Sequence, residues 1–161
     1  MTVDFILNGD DVSVQAQPLD CLLDILRNRF KLKSLSADCR EGLCGKCIVL
    51  MDGLPVNSCL VPAFRIRGTE VISYEGFMNT EEHAAVESAM RQAKLDLCPF
   101  CKPAYSILIG HALDRQGRMD NDELLELLSS VSCGCSDPAA IVEAARNALG
   151  SREGERYGRS R

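Results

Sequence analysis

Val3, Phe5 and Leu7 alternate with polar neighbours, the period-two pattern of a strand with one buried face. Asn8-Gly9-Asp10 then turns the chain into Val12, Val14 and Ala16, a hairpin signal in which the glycine takes a positive φ. Pro18 is placed to open a helix that carries Leu19, Leu22, Leu23 and Leu26 on one face. Residues 48–51 read as a short strand closed by the Asp52-Gly53 turn, and residues 71–74 as a last strand. Two strands, a helix and further strands predict a β-grasp domain over residues 1–76.

Beyond residue 76 the apolar spacing becomes helical. Thr80 caps a helix whose first turn carries Glu81 and Glu82 and which runs to about Lys94. Pro103 starts a second helix, ended near Gly117. Asp120 and Glu123 form a capping-box start for a third, with Leu124, Leu125, Leu127 and Leu128. Asp137-Pro138 starts a fourth, which Gly150 is expected to stop. The reading is α+β: a β-grasp domain followed by a four-helix bundle over 77–150. Residues 77–79 form a connection short enough to pack the two domains together. The segment 151–161, rich in Gly, Arg and Glu with little to bury, is expected to be a disordered tail.

Composition narrows the function classes. At 161 residues, with 46% apolar and 25% charged positions, the chain has the make-up of an ordinary globular protein. A net charge of −5 and the absence of Trp argue against nucleic acid or an anionic membrane surface as partner. No apolar run reaches bilayer-spanning length. The start MTVDFILNGD lacks the basic, apolar and small-residue regions of a signal peptide, so a reducing cytoplasm is the expected location.

Nine cysteines change the picture most. Cys39, Cys44, Cys47 and Cys59 have the spacing C-x4-C-x2-C-x11-C, the plant-type ferredoxin arrangement for a [2Fe–2S] cluster. Three thiolates from one loop must converge on a compact anionic cluster, and Gly42 and Gly45 permit the tight backbone this requires. A structural zinc site is the plainer alternative, although such sites usually show paired C-x2-C knuckles. Cys98 and Cys101 precede the second predicted helix, and Cys133 and Cys135 the fourth. Helix N-termini favour thiolates, so two such ends meeting would hold a second four-thiolate site. By chemistry alone zinc and [2Fe–2S] compete there, and a thioredoxin-like pair at Cys98 and Cys101 is a weaker alternative without a βαβ context. An odd count and bunched positions argue against a disulfide framework.

From Thr2 to about Leu149 the chain resembles the small iron–sulfur subunit of the molybdenum hydroxylases, the xanthine dehydrogenase and aldehyde oxidoreductase family. The resemblance implies a ferredoxin-like domain ahead of a four-helix bundle, with Cys39, Cys44, Cys47 and Cys59 holding one [2Fe–2S] cluster. It implies that Cys98, Cys101, Cys133 and Cys135 hold a second. It further implies single-electron transfer from a molybdopterin-binding large subunit to an FAD-binding medium subunit. In that family the bundle cluster lies towards the pterin and the other towards the flavin. The second motif departs from the family pattern: Leu97 replaces a pterin-contacting glutamine, Pro99 has no N–H for a sulfur, and Gly134 removes an arginine. A glutamine restored at Leu97 is accordingly expected to be tolerated.

Cys21 reads as a small buried apolar residue, His83 and His111 as structural or exposed, and Arg40, Lys46 and Lys102 as solvated surface. No Ser–His–Asp set, P-loop or dinucleotide motif is present, so no substrate-transforming site is expected in this chain. Two function classes follow: a redox subunit of a molybdenum hydroxylase, or an independent ferredoxin-like carrier or regulatory binding protein whose second site holds zinc.

Overall fold

The protein is described by a computed structural model covering residues 1–115 and 119–158, with the side chains of 151–158 excepted. Strand β1 (Thr2–Leu7) pairs antiparallel with β2 (Asp10–Gln15). Their turn residues Asn8 and Gly9 both have positive φ, 54° and 90°, as a two-residue hairpin turn matched to strand twist requires. Helix α1 (Leu22–Asn28) follows. A second hairpin of β3 (Ile48–Met51) and β4 (Leu54–Asn57) turns at Asp52-Gly53. Strand β5 (Glu70–Ile72) then inserts parallel to β1 and antiparallel to β3. The resulting five-stranded mixed sheet has the order β2-β1-β5-β3-β4.

Three local features differ from the sequence reading. The helix opens at Leu22, and Leu19 is 80% exposed. Pro18 and Leu19 form a turn instead, and long-range backbone bonds hold the stretch: Phe64 N–H donates to the Pro18 carbonyl, Ala63 N–H to Asp20, and Leu22 N–H to Val61. Strand β4 is absent from the pattern-based expectation because Pro55 interrupts it; its place at the sheet edge leaves the missing N–H without a ladder partner to disappoint. Strand β5 stops at Ile72, since the Asn8 side chain takes the Ser73 N–H at 2.8 Å and donates to its hydroxyl at 3.1 Å.

A four-residue helix α2 (Tyr74–Phe77) leads into α3 (Glu81–Gln92), α4 (Lys102–Asp114), α5 (Asn121–Ser129) and α6 (Pro138–Gly158). The caps form as expected. Thr80 accepts the His83 N–H, and Asp120 and Glu123 exchange the two bonds of a capping box at 2.8 and 3.0 Å. Residues 103–113 of α4 are buried on every side, which marks it as the central helix of this half. Gly117 lies outside the described residues. Gly150 falls within α6 rather than ending it; no neighbour surrounds the position, so the cost of about 1 kcal/mol for glycine in a helix is not compounded by crowding. The tail expectation for 151–161 concerns positions whose side chains, and for 159–161 whose backbone, lie outside the described residues.

Buried apolar residues form two clusters. One gathers Val3, Phe5, Leu22, Leu23, Leu26 and Ile66 between the sheet and α1. The other gathers Val86, Ile107, Leu108, Leu113, Leu124 and Ile141 among the later helices. Strand β3 serves both: Val49 points into the first cluster, while Ile48 and Leu50 join the second. Phe77, expected as connector, is buried in the second cluster, because α2 lays its ring against Gly110 of α4.

Candidate metal centres

The loop after α1 carries three of the first four cysteines. Its backbone wraps tightly, with Arg40, Gly42 and Gly45 all at positive φ, 57°, 74° and 68°. The wrap turns N–H groups inward: those of Glu41 and Cys44 donate to the Cys39 sulfur at 3.5 and 3.4 Å. These bonds push the Cys39 thiol down to about 7, because they favour the thiolate. The Cys39 and Cys44 sulfurs are 3.3 Å apart. Cys59, in the short helical turn Ser58–Leu60 that follows β4, faces Cys47; burial, and then the Cys47 sulfur, push its thiol up to about 12, opposed by the Gly42 N–H. The four sulfurs thus stand as two pairs, Cys39 with Cys44 and Cys47 with Cys59.

Two residues that spacing alone does not reveal lock this loop. Asn57 donates to the Gly42 carbonyl at 3.2 Å. Ser58, fully buried, donates from its hydroxyl to the Cys47 carbonyl at 2.7 Å. Their adjacency to Cys59 is the one sequence signal that would have pointed to them.

The second set converges as well. Cys98 and Cys101 close a turn in which the Cys101 N–H donates to the Cys98 carbonyl at 3.1 Å. Pro99 occupies the second position of that turn, where its fixed φ is favoured. The sulfurs of Cys98, Cys101 and Cys135 all lie within 4.8 Å of one another. Cys133 lies 3.2 Å from Cys135, sulfur to sulfur. The Cys98 N–H donates to Cys135 at 3.5 Å. Burial works against the Cys133 thiolate, but hydrogen bonds from Cys135, Cys101 and Ser136 hold it below the usual thiol value. Burial, followed by the Cys98 and Cys133 sulfurs, pushes the Cys101 thiol up. Nothing surrounds Gly134 that a side chain would meet.

The two sets are joined through the backbone. Ser132 N–H donates to the Cys44 carbonyl at 3.0 Å, and the Gly45 Cα faces the Ser130 carbonyl so closely that a Cβ would lie 2.2 Å from it. Tyr105 anchors the same segment from α4, its hydroxyl donating to the Val131 carbonyl at 3.1 Å.

The other singled-out residues fall outside both quartets. Cys21 is half-buried and directs its sulfur to the Ser58 carbonyl at 3.6 Å. His83 stands between Tyr74 and Glu87. His111 is buried, and burial lowers its affinity for a proton. Leu97 corrects an expectation: it is 8% exposed and packed in the helical cluster. Leu97→Gln is therefore expected to lower stability by about 1–3 kcal/mol, the cost of an unsatisfied buried amide, and thermal unfolding of the full chain measures it.

All nine cysteines are free thiols. Sulfurs 3.2–3.3 Å apart are too distant for a disulfide bond of ~2.05 Å. Both donor sets, four cysteines each with backbone N–H groups aimed at sulfur, fit iron–sulfur ligation.

Residues 5–69 match the 2Fe-2S iron-sulfur cluster binding domain. Over most of its length the chain is similar to the nicotine 6-hydroxylase small subunit of Paenarthrobacter nicotinovorans, with 31% identity covering 92% of this chain and 89% of that one. It is likewise similar to the nicotinate dehydrogenase small FeS subunit of Eubacterium barkeri, with 29% identity covering 92% and 95%. The aldehyde oxidoreductase of Desulfovibrio desulfuricans ATCC 27774 superposes with a TM-score of 0.84 at 26% identity, covering 96% of this chain and 17% of that longer one. Residues 5–69 thus form a [2Fe–2S] cluster binding domain of the ferredoxin kind. The chain belongs, more narrowly, to the family of small iron–sulfur subunits of the molybdenum hydroxylases, and its role is electron transfer. Among the described residues no helix is long and apolar enough to cross a membrane.

Proposed function

We propose that this chain holds two [2Fe–2S] clusters and relays single electrons from a molybdopterin-bearing subunit to an FAD-bearing subunit, both on other chains. Cys39, Cys44, Cys47 and Cys59 would hold the first cluster, and Cys98, Cys101, Cys133 and Cys135 the second. The observation that supports the reading is the convergence of the Cys98, Cys101 and Cys135 sulfurs within 4.8 Å, with Cys133 3.2 Å from Cys135, on a segment bonded through Ser132 to the loop that carries Cys39, Cys44 and Cys47. A [2Fe–2S] cluster, when bound, takes up and releases one electron at a time.

The residues around the sulfurs divide the remaining tasks. N–H groups of Glu41, Cys44 and Gly42 in the first set, and of Cys98, Cys135 and Ser136 in the second, offset negative charge on sulfur. Asn57 and Ser58 keep the first loop from spreading. The two buried clusters of side chains support a division into a β-grasp domain over 1–76 and a four-helix bundle over 77–150. The bundle would be α3 to α6: α4 packs against α3, α5 and α6, and α3 against α6. Relatives named as the small subunits of a nicotinate dehydrogenase and of a nicotine 6-hydroxylase support the partner assignment.

Anaerobically purified protein is expected to contain about four iron and four sulfide per chain and to give two distinct paramagnetic signals on reduction. About two iron with one zinc would remove the second cluster and leave the first.

A further inference from the structure

The loop that carries Cys39, Cys44 and Cys47 turns on three left-handed residues, and they are not alike. Gly42 and Gly45 take a positive φ freely. The third is Arg40, at φ 57°, where a side chain makes the same conformation costly. A strained residue of this kind persists only when its surroundings over-determine it.

The partner of Arg40 is Asp24. The guanidinium donates through both terminal nitrogens, Nη1 to Oδ2 at 2.9 Å and Nη2 to Oδ1 at 2.8 Å. Two parallel bonds fix an angle as well as a distance. The carboxylate is itself held in place: Asp24 stands in the first turn of α1, between Leu23 and Ile25, both buried in the first core. The pair lies near the surface, with side chains 54% and 34% exposed, so its weight in overall stability is small. What it settles is the direction of one backbone turn.

That turn lies between Cys39 and Glu41. The Glu41 N–H donates to the Cys39 sulfur at 3.5 Å, and the Cys44 N–H donates to the same atom at 3.4 Å. The planar peptide that carries the Glu41 N–H follows Arg40 directly. Returning Arg40 to the right-handed region would swing that N–H away from the sulfur.

We propose that Asp24 is a positioning residue for the first cysteine site: by clasping Arg40 it keeps the turn left-handed and the Glu41 and Cys44 N–H groups aimed at Cys39. The inference rests on the reading of Cys39, Cys44, Cys47 and Cys59 as cluster ligands. Hydrogen bonds to a ligand sulfur favour the reduced, more negative cluster. Loss of the clasp therefore lowers that cluster's reduction potential. Charge alone acts with the opposite sign, because removing the anion leaves the Arg40 cation unmatched beside the site, which favours reduction.

The test is an anaerobic potentiometric titration of the full chain, following the two paramagnetic signals separately, with iron loss to a chelator measured alongside. The first signal is the one that Cys47→Ala abolishes. Asp24→Ala is expected to lower its midpoint, the reduction equilibrium constant falling roughly twofold to tenfold for one lost hydrogen bond. The same variant should speed iron loss from the first site and leave the second signal unmoved. Adding Arg40→Gly to Asp24→Ala removes the cation and supplies a residue that takes a positive φ unaided, so the first midpoint should return towards the unsubstituted value. An upward shift with Asp24→Ala, an unchanged first signal, an equal shift of both signals, or no recovery in the double variant overturns the proposal. An unsubstituted chain with no signal that Cys47→Ala abolishes would instead overturn the first-cluster reading itself, and this inference with it.

Discussion

Gly45→Ala is expected to destabilise the protein by about 2–5 kcal/mol, from the left-handed backbone and the crowding combined, and to disturb both paramagnetic signals. Gly45 has φ 68°, and an added Cβ would lie 2.2 Å from the Ser130 carbonyl oxygen and 2.9 Å from the Val131 Cα. Those are backbone atoms, which cannot swing aside as a side chain does. Relief requires the Ser130–Ser132 segment to withdraw, and with it the bond from Ser132 to the Cys44 carbonyl. Gly42→Ala is the control. It too has positive φ, but its Cβ would meet the Leu60 side chain, which is 60% exposed and free to turn away. Its cost should stay near the backbone component of about 1–2 kcal/mol, with the disturbance confined to the first signal. Urea unfolding and spectra of the reduced proteins compare the two.

Phe77→Ala is expected to cost about 3–5 kcal/mol, the range for deleting a large buried ring. The ring is 4% exposed, and its tip lies 2.3 Å from where a Cβ on Gly110 would stand. It also meets the His83 ring edge-on, centroids 5.6 Å apart. Phe77 and Gly110 thus form a matched large-and-small pair that seats α2 on α4. Gly110→Ala alone should also destabilise, because the ring has no room to retreat. Combined with Phe77→Leu, the same alanine should cost less than the sum of the single changes, as expected for residues in direct contact. Denaturant midpoints of the three variants supply the cycle.

Much of this was legible in the sequence because its causes are local. The Asn8-Gly9 and Asp52-Gly53 turns, the Thr80 cap and the Asp120–Glu123 box each depend on residues within four positions of one another. The cysteine motifs are legible for the same reason, since three cysteines of the first set come from one loop and those of the second from two tight pairs. What escaped depends on partners far along the chain. The residues after Pro18 turn rather than continue into a helix because 61–64 bond to them, and Pro55 is tolerated only because β4 is an edge. Leu97 gave no sign that the helices close over it.

Strand β3 has a further consequence. Its odd and even side chains answer to different cores, Val49 to one and Ile48 and Leu50 to the other. The two halves therefore cannot be inherited as independent modules. A ferredoxin-like half exchanged from a relative would bring a sheet whose outer face was shaped for another set of helices. To be accepted, it would have to arrive together with its own version of α4.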